Sequence, residues 1–268
     1  MDEQVLLAFL VTAAAGLFTG FGGLLALSKK SYNRNFLGLC LSFSAGVMIY
    51  VSFGEIYFKA IEDLYYNNDE NYRLLAFLFF FGGILLIAII DKFIPKPDEN
   101  LAALQTESEN YSGKEKSELN RMGIMTAISI ALHNLPEGLV TFLAFIIDPA
   151  LGLAIAVAIA IHNFPEGIAM AVPIRAATGS KTKAVALSFL SGLTEPLGAL
   201  LAWFLFLNSG VSYFTTGILF ALIAGMMIYI SLKQLLPTAH KFSDKQTHLL
   251  WALFLGMAVM SISVVLLG

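Results

Sequence analysis

Residues 121–173 read RMGIMTAISIALHNLPEGLVTFLAFIIDPALGLAIAVAIAIHNFPEGIAMAVP, and this stretch contains one polar hexapeptide twice. The copies are His133–Gly138, with the letters HNLPEG, and His162–Gly167, with the letters HNFPEG. Each lies near the middle of an apolar run, 121–146 or 149–173, that is long enough to cross a bilayer as a helix. Imidazole, carboxamide and carboxylate groups are costly inside a membrane, so their repetition at this depth indicates a functional site.

The rest of the chain has the composition of a membrane protein. Of its 268 residues, 57% are hydrophobic and only 13% are charged, which excludes a water-soluble class. Repeated apolar runs of about 20 residues predict an all-α, polytopic membrane protein with eight transmembrane helices, spans 1–8, in a single transmembrane domain over 1–268. The predicted spans lie at about 4–27, 36–58, 73–93, 121–146, 149–173, 183–207, 212–234 and 249–267.

The basic residues predict the orientation of these spans. Of the 16 Lys and Arg residues, only Lys59 and Arg73 fall in the connections on one side, and the others fall on the opposite side. Because basic residues favour the cytoplasmic side of a membrane, both termini are expected outside the cytoplasm. The net charge of -3 is small, and no nucleic-acid partner is expected.

The longest connection, about 94–120, is rich in Glu, Ser, Asn and Lys and has no apolar periodicity. It is interpreted as a flexible cytoplasmic loop. Cys40 is the only cysteine in the sequence, which excludes a disulfide framework and a cluster of thiolate ligands within the chain.

Internal repeats organise the spans. The segment Ala45–Ser52 (AGVMIYVS) matches Ala224–Ser231 (AGMMIYIS) at all but two positions, so span 2 corresponds to span 7. The two copies run in opposite directions, as in transporters built from inverted repeats, and spans 1–3 should mirror spans 6–8. Spans 4 and 5 form a second inverted pair, which predicts a 3+2+3 arrangement. The alternative for the first repeat is a chance similarity between apolar helices.

On a helix, each hexapeptide presents its polar groups on one face. His133 and Asn134 lie four and three residues before Glu137, and the second copy has the same spacing. Pro136 and Pro165 cannot donate a backbone hydrogen bond, so each helix is expected to kink and to free a carbonyl oxygen beside the ligands.

Span 6 adds a third carboxylate, Glu195, which is followed by a proline. Three ionised carboxylates at the bilayer centre cost on the order of 8–10 kcal/mol unless they are compensated. No Lys or Arg lies in the middle of a span, whereas two divalent cations would balance three carboxylates. The alternatives are protonated carboxyl groups, or histidine and asparagine acting only as hydrogen-bonding groups between helices.

With these motifs, the sequence resembles the ZIP family of divalent-metal transporters, most closely its bacterial zinc-uptake and GufA-like members. The resemblance covers the whole chain. It implies a binuclear metal site midway through a transport path in a bacterial inner membrane, with metal moving into the cytoplasm. It assigns His133, Glu137, His162 and Glu166 to one metal, and Asn134, Asn163 and Glu195 with the two bridging glutamates to the other.

The two ends of the path are predicted from weaker signals. Glu55, near the outer end of span 2, is the candidate entrance ligand, with the ordinary alternative of a hydrated helix end. Gln234 corresponds to Glu55 in the repeat, and with His240 it is a candidate for an exit relay. A solvated loop histidine is the alternative for His240.

The predicted function is movement of Zn(II), by alternating access and with no enzymatic activity and no cofactor. Fe(II), Mn(II), Co(II) and Cd(II) are further expected substrates, because nitrogen and oxygen ligands without thiolate discriminate weakly among these ions. The expected partners are divalent metal ions and membrane lipid, and a homodimer is compatible with the sequence. An intramembrane metalloenzyme and a non-transporting metal sensor are the alternatives.

Overall fold

The computed structural model describes residues 3–25, 27, 34–66, 70–93, 113–206 and 212–267. Within these ranges all regular structure is helical, which confirms the predicted all-α class. Seven of the helical segments are long and apolar enough to cross a membrane by length and composition, and an apolar stretch, Asn134–Ile147, lies in the remaining span. The chain is therefore a multi-pass membrane protein.

The helices follow the predicted spans. They are α1 (Glu3–Leu25), α2 (Arg34–Val51), α3 (Tyr57–Tyr66), α4 (Tyr72–Phe93), α5 (Gly113–Ile147), α6 (Pro149–Thr178), α7 (Lys181–Gly192), α8 (Thr194–Phe206), α9 (Tyr213–Ile230), α10 (Leu236–Phe242) and α11 (Gln246–Leu267). Span 2 comprises α2 and α3, span 6 comprises α7 and α8, and span 7 comprises α9 and α10. Each of the other spans is a single helix.

Spans 2 and 7 each contain a short π-helical segment, at Ser52–Ile56 and at Ser231–Leu235. The two segments begin at the serine that ends each copy of the repeated sequence. In both copies this serine donates to the carbonyl oxygen four residues earlier, at 2.6 Å in span 2 and 2.8 Å in span 7. The sequence repeat is therefore also a repeat of an irregular backbone.

The helix contacts repeat in the same way. Span 2 packs against span 8, and span 7 packs against span 3. A Cβ atom on Gly46 would overlap the carbonyl oxygen of Leu253, and one on Gly225 would overlap that of Phe80. Gly46 and Gly225 are equivalent in the repeat, and each permits a close helix approach. The two close approaches are therefore equivalent contacts, as expected for two copies of one three-helix unit.

One boundary differs from the prediction. Helix α5 begins at Gly113, so residues 113–120, which belong to the predicted loop, are helical. This segment is polar but contains Lys, Glu and Leu, which favour helices, and it extends the helix beyond the apolar run. Residues 94–112, the remainder of the predicted loop, lie outside the described residues.

Span 6 is broken where a continuous helix was expected. Helix α7 ends at Gly192, and α8 begins at Thr194 after a turn at Leu193. Proline in the first turn of a helix breaks no backbone hydrogen bond, so a new helix that starts just before Pro196 accommodates it without this cost. Glu195 consequently lies in the first turn of α8, where the helix dipole stabilises a negative charge.

Candidate metal centre

A very short connection brings the two hexapeptides together. Asp148 separates α5 from α6, and its carboxylate accepts a hydrogen bond from the backbone N–H of Ala150 at 2.9 Å. Pro149 occupies the first position of α6, where its missing N–H has no cost. Spans 4 and 5 therefore run antiparallel and in contact, with the two polar motifs at corresponding depths.

The glycine that ends each hexapeptide permits a close helix approach. A Cβ atom on Gly138 would overlap the carbonyl oxygen of Glu195, and one on Gly167 would overlap that of Thr19. Spans 6 and 1 thus lie directly against the motifs of spans 4 and 5. The role of these glycines is not evident from the sequence alone.

One ligand pair joins the two copies of the motif. The Nε2 atom of His162 lies 3.3 Å from Oε1 of Glu137, and both side chains are buried. The Nδ1 atom of His162 lies 3.2 Å from the carbonyl oxygen of Ala158. Because a carbonyl can only accept, Nδ1 donates to Ala158, and Nε2 is the ring nitrogen that faces Glu137, the position from which a histidine could bind a metal.

Glu166 is contacted from span 2. Ser44 donates to Oε1 of Glu166 at 3.3 Å, and its hydroxyl also lies 3.4 Å from the carbonyl oxygen of His162. The sequence interpretation missed Ser44, because one serine in an apolar helix carries no distinguishing signal. The match between spans 2 and 7 could not identify it, since Ser44 lies just before the repeated segment.

The asparagines connect the motifs to spans 1 and 6. Asn163 donates to the carbonyl oxygen of Ala15 at 3.1 Å and also to Oε1 of Glu195. Asn134 donates to the carbonyl oxygen of Ser191 at 3.4 Å. Each amide nitrogen therefore donates to a neighbouring span, and each amide oxygen has no hydrogen-bond partner among the described residues.

The site is rich in acceptors without donors. Several fully buried side-chain atoms have no hydrogen-bond partner among the described residues. They include both carboxylate oxygens of Glu137, one each of Glu166 and Glu195, Nε2 of His162, and Oδ1 of Asn134 and Asn163. An unpaired buried polar group costs about 1–3 kcal/mol, and more if it is charged. A set of carboxylate, carboxamide and imidazole acceptors suits a divalent transition metal.

The structure brings these residues together in pairs. Among the side chains that the structure describes, no group of three or more His, Cys, Asp or Glu residues is arranged to hold a metal ion. The backbone of His133 belongs to α5, but its side chain lies outside the described part of the structure. The complete ligand set therefore stays a prediction.

Comparison with known proteins identifies the family. A family model described as ZIP Zinc transporter matches residues 95–263. Full-length relatives named zinc transporter ZupT include that of Lysinibacillus sphaericus, 51% identical with all of both chains covered. That of Streptococcus mutans is 47% identical with 99% of both chains covered, and that of Clostridium perfringens is 44% identical with 98% of this chain and 97% of its own covered.

The chain belongs to the ZIP zinc transporter family. This membership confirms the resemblance inferred from the doubled hexapeptide, and it confirms that the chain is a transporter rather than an enzyme. The paired motif of this ZIP chain lies on α5 and α6, both within the matched region.

The predicted entrance residue of the ZIP chain lies at an open pocket. Glu55 is half-buried in the π segment of span 2 and lines a pocket of about 780 Å³ together with Glu62 and Asp148. Lys59 lies at the same pocket, with Nζ 2.9 Å from Glu62 and 3.3 Å from Asp63. The position suits an entrance, and the role of Glu55 stays a prediction.

The predicted exit residues make other contacts. Gln234 donates to Oδ1 of Asp91 at 3.0 Å, and Tyr229 donates to Oδ2 of the same carboxylate at 3.1 Å. His240 is exposed, and its Nδ1 donates to the carbonyl oxygen of Leu236 in its own helix at 2.7 Å. Asp91 thus ties span 3 to span 7, and a relay between Gln234 and His240 stays a prediction.

Proposed function

We propose that this ZIP chain, as one transporter domain, moves Zn(II) into the cytoplasm through a binuclear metal site at the bilayer midplane. The observation that carries the proposal is the set of buried acceptors from spans 4, 5 and 6 that have no donor among the described residues. Relatives that match this chain over its whole length are named zinc transporters, which supports zinc as the substrate.

The proposed ligands divide between two ions. His133, Glu137, His162 and Glu166 surround the first, while Asn134, Asn163 and Glu195 surround the second, with Glu137 and Glu166 bridging. The contact of His162 with Glu137 is consistent with the first set, and that of Asn163 with Glu195 with the second. Two divalent ions would also balance the three carboxylates, since the sequence has no Lys or Arg in the middle of spans 4–6.

The ligand chemistry sets the expected range of substrates. Imidazole, carboxamide and carboxylate groups bind borderline metals without the strong preference that thiolates give. Fe(II), Mn(II), Co(II) and Cd(II) are therefore proposed as weaker substrates of the same site.

Alternating access is supported by the repeated backbone. The π segments lie at equivalent positions of spans 2 and 7, and π segments inside helices are often found at functional sites. Inverted repeats allow two equivalent arrangements of the same units, one open to each side.

The placement of basic residues supports termini outside the cytoplasm of a bacterial inner membrane.

Lipid is the proposed neighbour of the outer helices. Large apolar side chains on spans 3 and 8 are exposed, among them Leu85 at 62% and Trp251 at 67%. Such surfaces are stable only in hydrocarbon or against another apolar surface. Part of this face could therefore also be covered by a second copy of the chain in a homodimer.

The test is uptake of radioactive zinc by proteoliposomes that contain the purified chain. The wild type should accumulate zinc, Glu137→Gln should not, and Glu3→Gln, a change at an exposed position of α1, should behave as the wild type. Zinc binding without flux in the wild type would favour a metal sensor and overturn the proposal. Competition by iron, manganese, cobalt and cadmium, each added in excess, then ranks the substrates.

A further inference from the structure

Spans 1 and 6 meet through a reciprocal contact that defines their equivalent positions. A Cβ atom on Gly16 would overlap the carbonyl oxygen of Gly192, and one on Gly192 would overlap that of Gly16. Thr19 and Glu195 are separated along the chain by the same number of residues as these two glycines, and so are Gly22 and Gly198. Thr19 is thus the counterpart of Glu195 in the other half of the repeat.

The contacts with spans 4 and 5 agree with this register. Gly22 approaches the carbonyl oxygen of Phe164, and Gly198 approaches that of Leu135, the same position in the other hexapeptide. The backbone of Thr19 lies against the last glycine of one motif, and the backbone of Glu195 lies against the last glycine of the other. Each residue therefore meets one hexapeptide in the same way.

The side chains of the two residues leave their helices at matching places. A Cβ atom on Gly16 would lie 3.3 Å from the Cβ of Glu195, and one on Gly192 would lie 3.4 Å from the Cβ of Thr19. Asn163 donates to the backbone of Ala15, and Asn134 donates to the backbone of Ser191, its equivalent in span 6. In this register, the counterpart of the contact between Asn163 and Glu195 is one between Asn134 and Thr19.

Thr19 has the properties of an unused ligand. It is fully buried, and its Oγ1 has no hydrogen-bond partner among the described residues. Thr12, two turns earlier in the same helix and equally buried, donates to the carbonyl oxygen of Ala8 at 2.8 Å, as threonines in apolar helices commonly do. Oδ1 of Asn134 and Oγ of Ser191 are likewise buried without a partner in the described structure.

We propose that Thr19 and Ser191 form a neutral oxygen site with Asn134, which is shared with the second midplane ion. This site receives the divalent metal on the cytoplasmic side of the midplane glutamates. The proposal rests on the proposed function and names a further step of it. Thr19 lies three residues beyond Gly16 towards the cytoplasm, and Glu195 lies three residues beyond Gly192 towards the outside. Thr19 is thus on the cytoplasmic side of the contact between Gly16 and Gly192, and Glu195 is on its outer side.

The two equivalent positions differ in charge, and this difference favours movement of the ion from the outer to the inner position. A carboxylate at the outer position attracts and holds a divalent ion, whereas hydroxyl and carboxamide oxygens at the inner position are neutral and bind it weakly. A conduction path needs sites that are favourable enough to be occupied and weak enough to be left. The neutral inner site thus lets the ion leave towards the cytoplasm.

The test compares zinc flux and zinc binding in variants at Thr19. Thr19→Val, which keeps the shape and removes the hydroxyl, should lower zinc flux into proteoliposomes by about tenfold, the effect expected when a metal site loses a supporting group. Zinc binding by the purified protein, measured by equilibrium dialysis, should change little, because the glutamates remain. Thr19→Ser should recover most of the flux.

Thr19→Glu should have the opposite effect on binding. A carboxylate at the inner position should make the protein hold zinc more tightly, and flux should fall because release is slowed. If this variant does not fold, the pair Thr19→Val and Thr19→Ser still decides the proposal. Thr12→Val is the matched control and should transport zinc as the wild type does.

The readouts separate a functional role from a structural one. Removing an unpaired buried hydroxyl should leave the thermal midpoint of unfolding unchanged or raise it. If Thr19 serves only to pack the helices, Thr19→Val should therefore transport zinc at the wild-type rate. That result would overturn the neutral site and leave the zinc transport function standing. A wild-type chain that moves no zinc would instead overturn the proposed function itself.

Discussion

The imidazole of His162 in the second hexapeptide lies 3.3 Å from the carboxylate of Glu137 in the first. A ligand pair therefore forms between the two hexapeptides, across the contact of their helices. The short connection at Asp148 holds the two helices antiparallel, so that a histidine from one copy meets a glutamate from the other. A metal ion bound there would join spans 4 and 5, and any movement between them would change the site.

The first prediction concerns the bridging glutamates. Glu137→Ala and Glu166→Ala should abolish zinc flux in proteoliposomes while the helix content stays unchanged, because each carboxylate serves both proposed ions. Glu195→Ala should be milder, since this carboxylate serves only the second ion. Circular dichroism checks the helix content, and near-normal flux in either of the first two variants would rule out the two-metal site.

The second prediction concerns Gly138. Gly138→Ala should lower the stability of the purified protein by about 1–3 kcal/mol, because the new methyl group would overlap the carbonyl oxygen of Glu195. Gly82→Ala is the control, since its methyl group would find only a contact of 3.7 Å with Leu222. Thermal unfolding in detergent measures both, and equal midpoints would mean that span 6 does not approach span 4 this closely.

The third prediction concerns Ser44, which donates to Glu166. Ser44→Ala should raise the KM for zinc by about three- to tenfold, because a hydrogen bond to a charged group contributes about 1.5–3 kcal/mol at best and this one is long. Ser42→Ala, which removes a donor to Leu249 on span 8, is the control. Flux measured over a series of zinc concentrations distinguishes the two, and equal KM values would remove Ser44 from the site.

The fourth prediction concerns Lys59 at the outer pocket. Its ammonium group lies against two carboxylates, so Lys59→Gln should increase the attraction of the pocket for cations. The KM for zinc should fall by about two- to threefold at low ionic strength, and the difference should disappear in high salt, where charges are screened. Arg73→Gln, which removes the other basic residue predicted on that side, is the control. A fall in KM that persists in high salt would contradict an electrostatic effect.

The sequence by itself determined the class of protein, the eight spans and the family. These features could be predicted because they depend on local chemistry. Polar groups within a long apolar run carry a high free-energy cost in a membrane, so two copies of the same polar hexapeptide indicate a function. The match between Ala45–Ser52 and Ala224–Ser231 likewise predicted which spans correspond. The contacts of span 2 with span 8 and of span 7 with span 3 follow that correspondence.

Only the tertiary structure decided the details of the site. The π segments and the donor Ser44 have no clear sequence signal, because each depends on how neighbouring spans approach one another. Thr19 shows the reason most directly. One threonine in an apolar helix is unremarkable in sequence, and it becomes the counterpart of Glu195 only when the close contact of Gly16 with Gly192 sets the register of spans 1 and 6.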